Sequence, residues 1–299
     1  MSRTETGLRL AALLTVLTAC TPATPPLTPA APAPRIVEAA VLAAVQRAAA
    51  IRTLPADLTP ALADTAADLG FDNEQCEAGP AADRIEPCVF GDRASAIKVI
   101  LYGDSHAGMW LPPMIQIADR LHWRLMFFGK PGCPAVRLTV WNQRAGRRFE
   151  ECDRFRDSVT ERIKAERPDL VVLTNGSFEP KSDRGVLVTP VQWQTAVREM
   201  VGSLRLLSSR VVVLGDIPVL AESGPECLAA HPADVAACGT SRNAATERVW
   251  HAAEQDAARE SGAGYVSVLP WLCSAVCTPV IGNVTVYRNR FHLTATYAR

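Results

Sequence analysis

From residue 97 onward the chain alternates two kinds of segment. Short, nearly continuous runs of Val, Ile and Leu occur at 97–102, 124–128, 169–174, 210–214 and 264–268. Runs of this kind read as parallel strands, which are covered on both faces and so lose the in–out alternation of a half-exposed strand. Between them, the segments near 108–121, 147–166, 190–207 and 242–261 read as helices. Repeated strand–helix units predict an α/β chain folded as a three-layer, doubly wound α/β/α sandwich. Ligands of such sheets bind beyond the carboxyl ends of the strands, so the loops after each strand are where chemistry is expected.

The first third is organised differently. Residues 36–52 (IVEAAVLAAVQRAAAIR) are Ala-rich with one apolar face and read as a helix, and a Pro-punctuated lead-in continues to 75. Residues 21–34 (TPATPPLTPAAPAP) cannot build a core and read as a semi-extended tether. Ahead of them Arg3 and Arg9 precede an apolar stretch from Leu10 to Leu17, the pattern of an export signal. Leu17-Thr18-Ala19-Cys20 then resembles a bacterial lipobox, in which Cys20 carries lipid and becomes the new N-terminus. An ordinary secretory signal that happens to end in Cys is the other reading. Diacyl modification at Cys20 would give stable attachment to a membrane, on its outer face. The expected division is a signal at 1–20, a tether at 21–35, a lead-in at 36–75 and one domain at 76–299.

Lys plus Arg and Asp plus Glu both number 31, so no net charge draws the chain to nucleic acid. Beyond the N-terminus no apolar run approaches the ~18 residues a membrane span needs. Setting Cys20 aside leaves eight cysteines, an even number that in an exported chain implies disulfides. They fall into four sequential close pairs: Cys76 with Cys88, Cys133 with Cys152, Cys227 with Cys238, and Cys273 with Cys277. Zinc is the rival reading, and the lack of a C-x-x-C or a nearby His cluster speaks against it.

The first apolar run leads directly into Asp104-Ser105-His106-Ala107-Gly108. A Ser at a strand-to-helix turn can present a nucleophilic hydroxyl with its own N–H at a helix N-terminus, or it can simply cap the helix. A nucleophile needs a base within reach. Of the five histidines, His122, His231 and His251 sit in helix or Cys-loop contexts that suit surface or packing roles, and His106 adjoins Ser105 and should point elsewhere. His292, in a loop before a last short helix, remains.

GDSHA after the first strand and a terminal YRNRFHLTATYA resemble the SGNH hydrolase superfamily. More specifically, they resemble the extracytoplasmic SGNH domain that follows the membrane acyltransferase in bacterial cell-envelope O-acetylation proteins. AAVQRAAAIRTLPADLTPAL, the Cys76–Cys88 loop, GKPGCP, ERPDLVVL, GDIPVL and WLCSAVC extend it over roughly residues 36–299. The resemblance implies a flavodoxin-like parallel sheet. It implies Ser105 as nucleophile and one oxyanion donor, Gly132 as the second donor, Asn175 as side-chain donor and His292 as base. Gly132 and Asn175 also read as turn residues. The family places Asp three residues before the His, and this chain has Asn289 there. In serine proteases the equivalent change lowers kcat roughly ten-thousandfold. Three possibilities stay open: Asn289 accepts through its oxygen, Asp104 or Asp216 substitutes, or catalysis is lost.

The function implied is acyl transfer through an acyl-Ser105, with water or a sugar hydroxyl as acceptor and an acylated envelope glycan or small ester as substrate. The fused acyltransferase of the family is replaced here by the signal and tether, so a separate membrane acyltransferase is an expected partner. No cofactor is expected. The alternative is a catalytically impaired lipoprotein that binds glycan or such a partner.

Overall fold

The computed structural model describes residues 34–299, Arg248 excepted. The signal, nearly all of the tether, and Cys20 lie outside the described residues. Among them, six strands form the main sheet: β1 (Cys88–Gly91), β2 (Lys98–Gly103), β3 (Arg124–Gly129), β4 (Leu170–Thr174), β5 (Arg210–Leu214) and β6 (Gly264–Val266). The spatial order is β1-β3-β2-β4-β5-β6, so the five parallel strands follow the flavodoxin-like sequence 2-1-3-4-5. β1 is an antiparallel edge strand that the apolar pattern did not announce.

The longer helices are α1 (Pro34–Ala48), α2 (Ser105–Leu121), α3 (Glu150–Glu166), α4 (Pro190–Arg205) and α5 (His251–Glu260). Side chains alternate along each strand, and the two faces of β2 fill two cores. Ile100 and Tyr102 join Phe155, Trp193 and Met200 from α3 and α4. Val99 and Leu101 join Ala107, Leu111 and Ala118 from α2. Helices on both faces make this the three-layer α/β/α sandwich of the SGNH fold. None of the helices among the described residues is long and apolar enough to cross a membrane.

Three expected elements end differently. The first helix stops at Ala48, because Arg52 O accepts from Val235 N–H and Leu54 N–H donates to Pro232 O. The segment expected as one helix over 242–261 breaks in two, Arg242–Thr246 and α5. At the break Trp250 N–H donates to Ser177 Oγ, and this tertiary bond takes the place of a helical one. The last strand stops at Val266, and Val268 is buried in a third core beneath the C-terminal segment.

Four disulfides join Cys76–Cys88, Cys133–Cys152, Cys227–Cys238 and Cys273–Cys277. Cys133–Cys152 ties the loop after β3 to the start of α3, and the buried Arg156 guanidinium reinforces it by donating to Val136 O and Leu138 O. Lys130, fully buried, holds the 79–82 loop by donating to three of its carbonyls. Replacing Cys133 and Cys152 together by Ala should lower stability by about 3 kcal/mol, the loop-closure entropy of a bridge of this span. Urea unfolding of the oxidised protein and the double variant measures it.

Candidate active site

The strand-to-helix turn after β2 is held from three sides. A Cβ on Gly103 would lie 1.9 Å from Thr174 O on β4, so only glycine allows this approach. Asp104 caps α2 by accepting from His106 N–H at 2.9 Å, and its carboxylate also accepts from Gly176 N–H at 2.9 Å. Ser105, the first helical residue, is thereby fixed with its hydroxyl partly exposed.

His292 reaches that hydroxyl from the C-terminal segment, with Nε2 2.9 Å from Ser105 Oγ. The segment folds back on itself through Arg288 N–H donating to His292 O and through the Tyr287–Leu293 bridge. Asn289 lies behind the ring. Its Oδ1 accepts from the N–H groups of Phe291 and His292, both at 2.9 Å. Its Nδ2 stands 3.0 Å from His292 Nδ1. Swapping the amide's ends would set an NH2 against two N–H donors, so the two backbone bonds dictate the amide's orientation. Nδ2 therefore donates to Nδ1, Nδ1 is bare, and the neutral ring carries its proton on Nε2. That proton is donated to Ser105 Oγ. A base at rest needs the opposite tautomer. Burial, then the neighbouring His106, then Arg288 push the His292 pKa down to about 2, so the ring is also neutral.

The open alternatives for Asn289 narrow accordingly. Its oxygen is taken by two backbone N–H groups and is not available to the His292 ring. Neither proposed substitute acid touches the ring: Asp104 is occupied as above, and Asp216 serves another histidine. His106 Nδ1 lies 2.6 Å from Asp216 Oδ1. Asp216 Oδ2 accepts from Ser177 N–H and Oγ–H at 2.7 and 3.1 Å, and Oδ1 accepts from Ile217 N–H at 2.7 Å. Burial alone would lower the His106 pKa, but the Asp216 carboxylate prevails and raises it. Asp216 is held below the usual range despite its own burial, chiefly by its pairing with His106. His251, expected at the surface or in packing, donates Nε2–H to Asp216 O at 2.7 Å. The ring of His106 lies 5.1 Å from that of His292, close enough that His106 opposes a positive charge on the candidate base.

Gly132 sits in the loop after β3 with φ +71° and lines the same cavity as Ser105. Asn175 follows β4 and is buried; its Oδ1 takes Ala135 N–H at 2.6 Å, which leaves Nδ2 as its donating end. The cavity encloses about 980 Å³ between Trp141, Phe149, Arg288, Phe291 and Glu77. Glu77 was not singled out in the sequence. Burial, against the opposing pull of Arg288, lifts its carboxyl to about 7. His106, Asp216 and Glu77 are separated widely in the chain, and the one available signal is that Asp216 and Ser177 follow parallel strands.

A family model described as SGNH domain (fused to AT3 domains) matches residues 73–299. No curated protein matches the chain. The periplasmic domain of a lipopolysaccharide acetyltransferase from Salmonella ser. Paratyphi A superposes with a TM-score of 0.55 at 14% identity, over 69% of this chain and 81% of that one, a likeness of fold. A catalytic mutant of an acetylxylan esterase from Geobacillus stearothermophilus gives a TM-score of 0.35 at 12% identity, covering 58% of this chain and 77% of that one.

The tautomer is directly measurable. In ¹⁵N-detected histidine spectra His292 should show a protonated Nε2 and a bare Nδ1, and Asn289→Asp should move the proton to Nδ1. A wild-type ring already protonated on Nδ1 would contradict the amide orientation.

Proposed function

The chain belongs to the SGNH domain family, in the branch fused to AT3 domains, and on that premise we propose that it is an exported serine esterase or O-acyltransferase acting on O-acylated envelope carbohydrate. The observation that carries the proposal is the 2.9 Å contact between Ser105 Oγ and His292 Nε2 at a helix N-terminus inside a cavity large enough for sugar rings. Ser105 attacks the ester carbonyl and becomes acylated. The developing oxyanion is received by Ser105 N–H, by the Gly132 loop and by Asn175 Nδ2. Water or a sugar hydroxyl then takes the acyl group. Disulfide closure supports an extracytoplasmic setting. In this reading Cys20 carries the lipid anchor and a membrane acyltransferase supplies the acyl group.

Turnover is slow in this reading. For His292 to accept the serine proton, Asn289 must turn its amide and leave two backbone N–H groups facing a donor. The same observation favours a second reading, a glycan- or partner-binding lipoprotein that keeps the fold and has lost the reaction.

Hydrolysis of p-nitrophenyl acetate separates the two. Ser105→Ala should abolish turnover, and Asn289→Asp should raise it by about 10³ to 10⁴. Unchanged turnover in Ser105→Ala would remove the serine from the mechanism. In cells, Cys20→Ala should release the protein from membranes, and continued retention would speak against lipidation.

A further inference from the structure

The tautomer of His292 constrains where the serine proton goes. Ser105 Oγ accepts from Nε2–H, so its own proton is directed away from His292 and into the cavity. The nearby carboxylates are Asp68, Glu74 and Glu77. Asp68 is engaged by Thr296 N–H at 2.9 Å, and Glu74 is exposed. Glu77 is half-buried, and its side chain lies across the first turn of α2. A Cβ at Gly108 would stand 2.5 Å from Glu77 Oε1. Gly108 is three residues beyond Ser105, and residues at that spacing share a helix face. The backbone of Glu77 is fixed by the Cys76–Cys88 bridge on one side and by pairing with Gly129 on the other. A glycine at 108 thus opens the space that lets the Glu77 carboxylate lie over the first turn of α2, in the cavity that Ser105 also lines.

We infer that Glu77, through one intervening water, accepts and returns the proton when Ser105 transfers an acyl group, while His292 remains a hydrogen-bond donor to Ser105. The inference rests on the acyl-transfer reading above. As Ser105 Oγ bonds to the carbonyl carbon, its proton passes through the water to Glu77. As the ester C–O bond breaks, Glu77 returns that proton to the leaving alkoxide, and the acyl group stays on Ser105. In the second half, water or a sugar hydroxyl gives its proton to Glu77 while its oxygen bonds to the acyl carbon, and the departing Ser105 oxygen takes the proton back. The charged and titratable groups facing Glu77 are Arg288 from the C-terminal segment, Asp104 below the start of α2, Asp68 and Glu74 from the lead-in side, and His292. With the carboxyl poised near 7, its basic form gains population as pH rises through neutrality.

The test is p-nitrophenyl acetate hydrolysis by the full chain against pH, with Glu77→Gln and Glu77→Asp each made in the wild-type and Asn289→Asp backgrounds. In wild type, kcat/KM should rise through a limb near pH 7. Glu77→Gln should erase the limb and lower the rate by about 100-fold, and Glu77→Asp should keep the limb with part of the rate. In Asn289→Asp, where His292 regains the basic tautomer, Glu77→Gln should cost only a few-fold. An equal loss in both backgrounds, or a limb that survives Glu77→Gln, overturns the inference. Ser105-dependent turnover in Asn289→Asp but none in wild type overturns Glu77 and spares the serine; none in either overturns both.

Discussion

The buried Asp216 carboxylate holds the site together. It accepts from Ser177 after β4, from Ile217 in its own loop after β5, and from His106 in the helix that begins at Ser105. Three strand ends therefore meet on one charge with no exposure to water. Such a charge is tolerable because each lone pair accepts a hydrogen bond, one of them from the His106 ring. Asp104 repeats the device one layer up by tying the start of α2 to Gly176. The nucleophile turn is thus fixed by two acids, neither of which contacts the candidate base.

Against this rigid frame, the difference at position 289 is one of hydrogen-bond polarity rather than shape. An aspartate and an asparagine fill the same space and accept the same two backbone N–H groups. The second terminal atom differs, and it faces His292 Nδ1. Donation there in place of acceptance reverses the direction of the whole chain of hydrogen bonds, so the ring gives a proton to Ser105 where the family's arrangement would take one. The neighbouring His106 acts in the same direction by disfavouring charge on His292.

The parallel strands were legible because burial on both faces writes itself as continuous apolar runs. β1 was not, since its four residues CVFG are all only partly buried and pair at an edge. The break before α5 depends on Ser177, more than 70 residues away, and no local pattern encodes it. Ser105 and His292 could be singled out through motif and elimination. The His106–Asp216 pair spans 110 residues and becomes visible only when β2 and β5 are set in one sheet. Asn289 stood out as a departure, but its consequence needed the two amides that orient it. Glu77 left no trace in the sequence beyond a glycine one helical turn past the serine.

The lead-in is part of this architecture. Thr59 exchanges backbone bonds with Asn283 and Thr285, Pro60 O accepts from Thr285 Oγ, and Asp68 receives the N–H groups of Ala295 and Thr296. These contacts brace the C-terminal segment on both sides of His292. A fragment cut at residue 73, where the match to the family model begins, would leave those groups without partners and the histidine on an unbraced arm. The segment matched by the family model and the set of residues that braces His292 therefore have different borders, and the second reaches further toward the N-terminus.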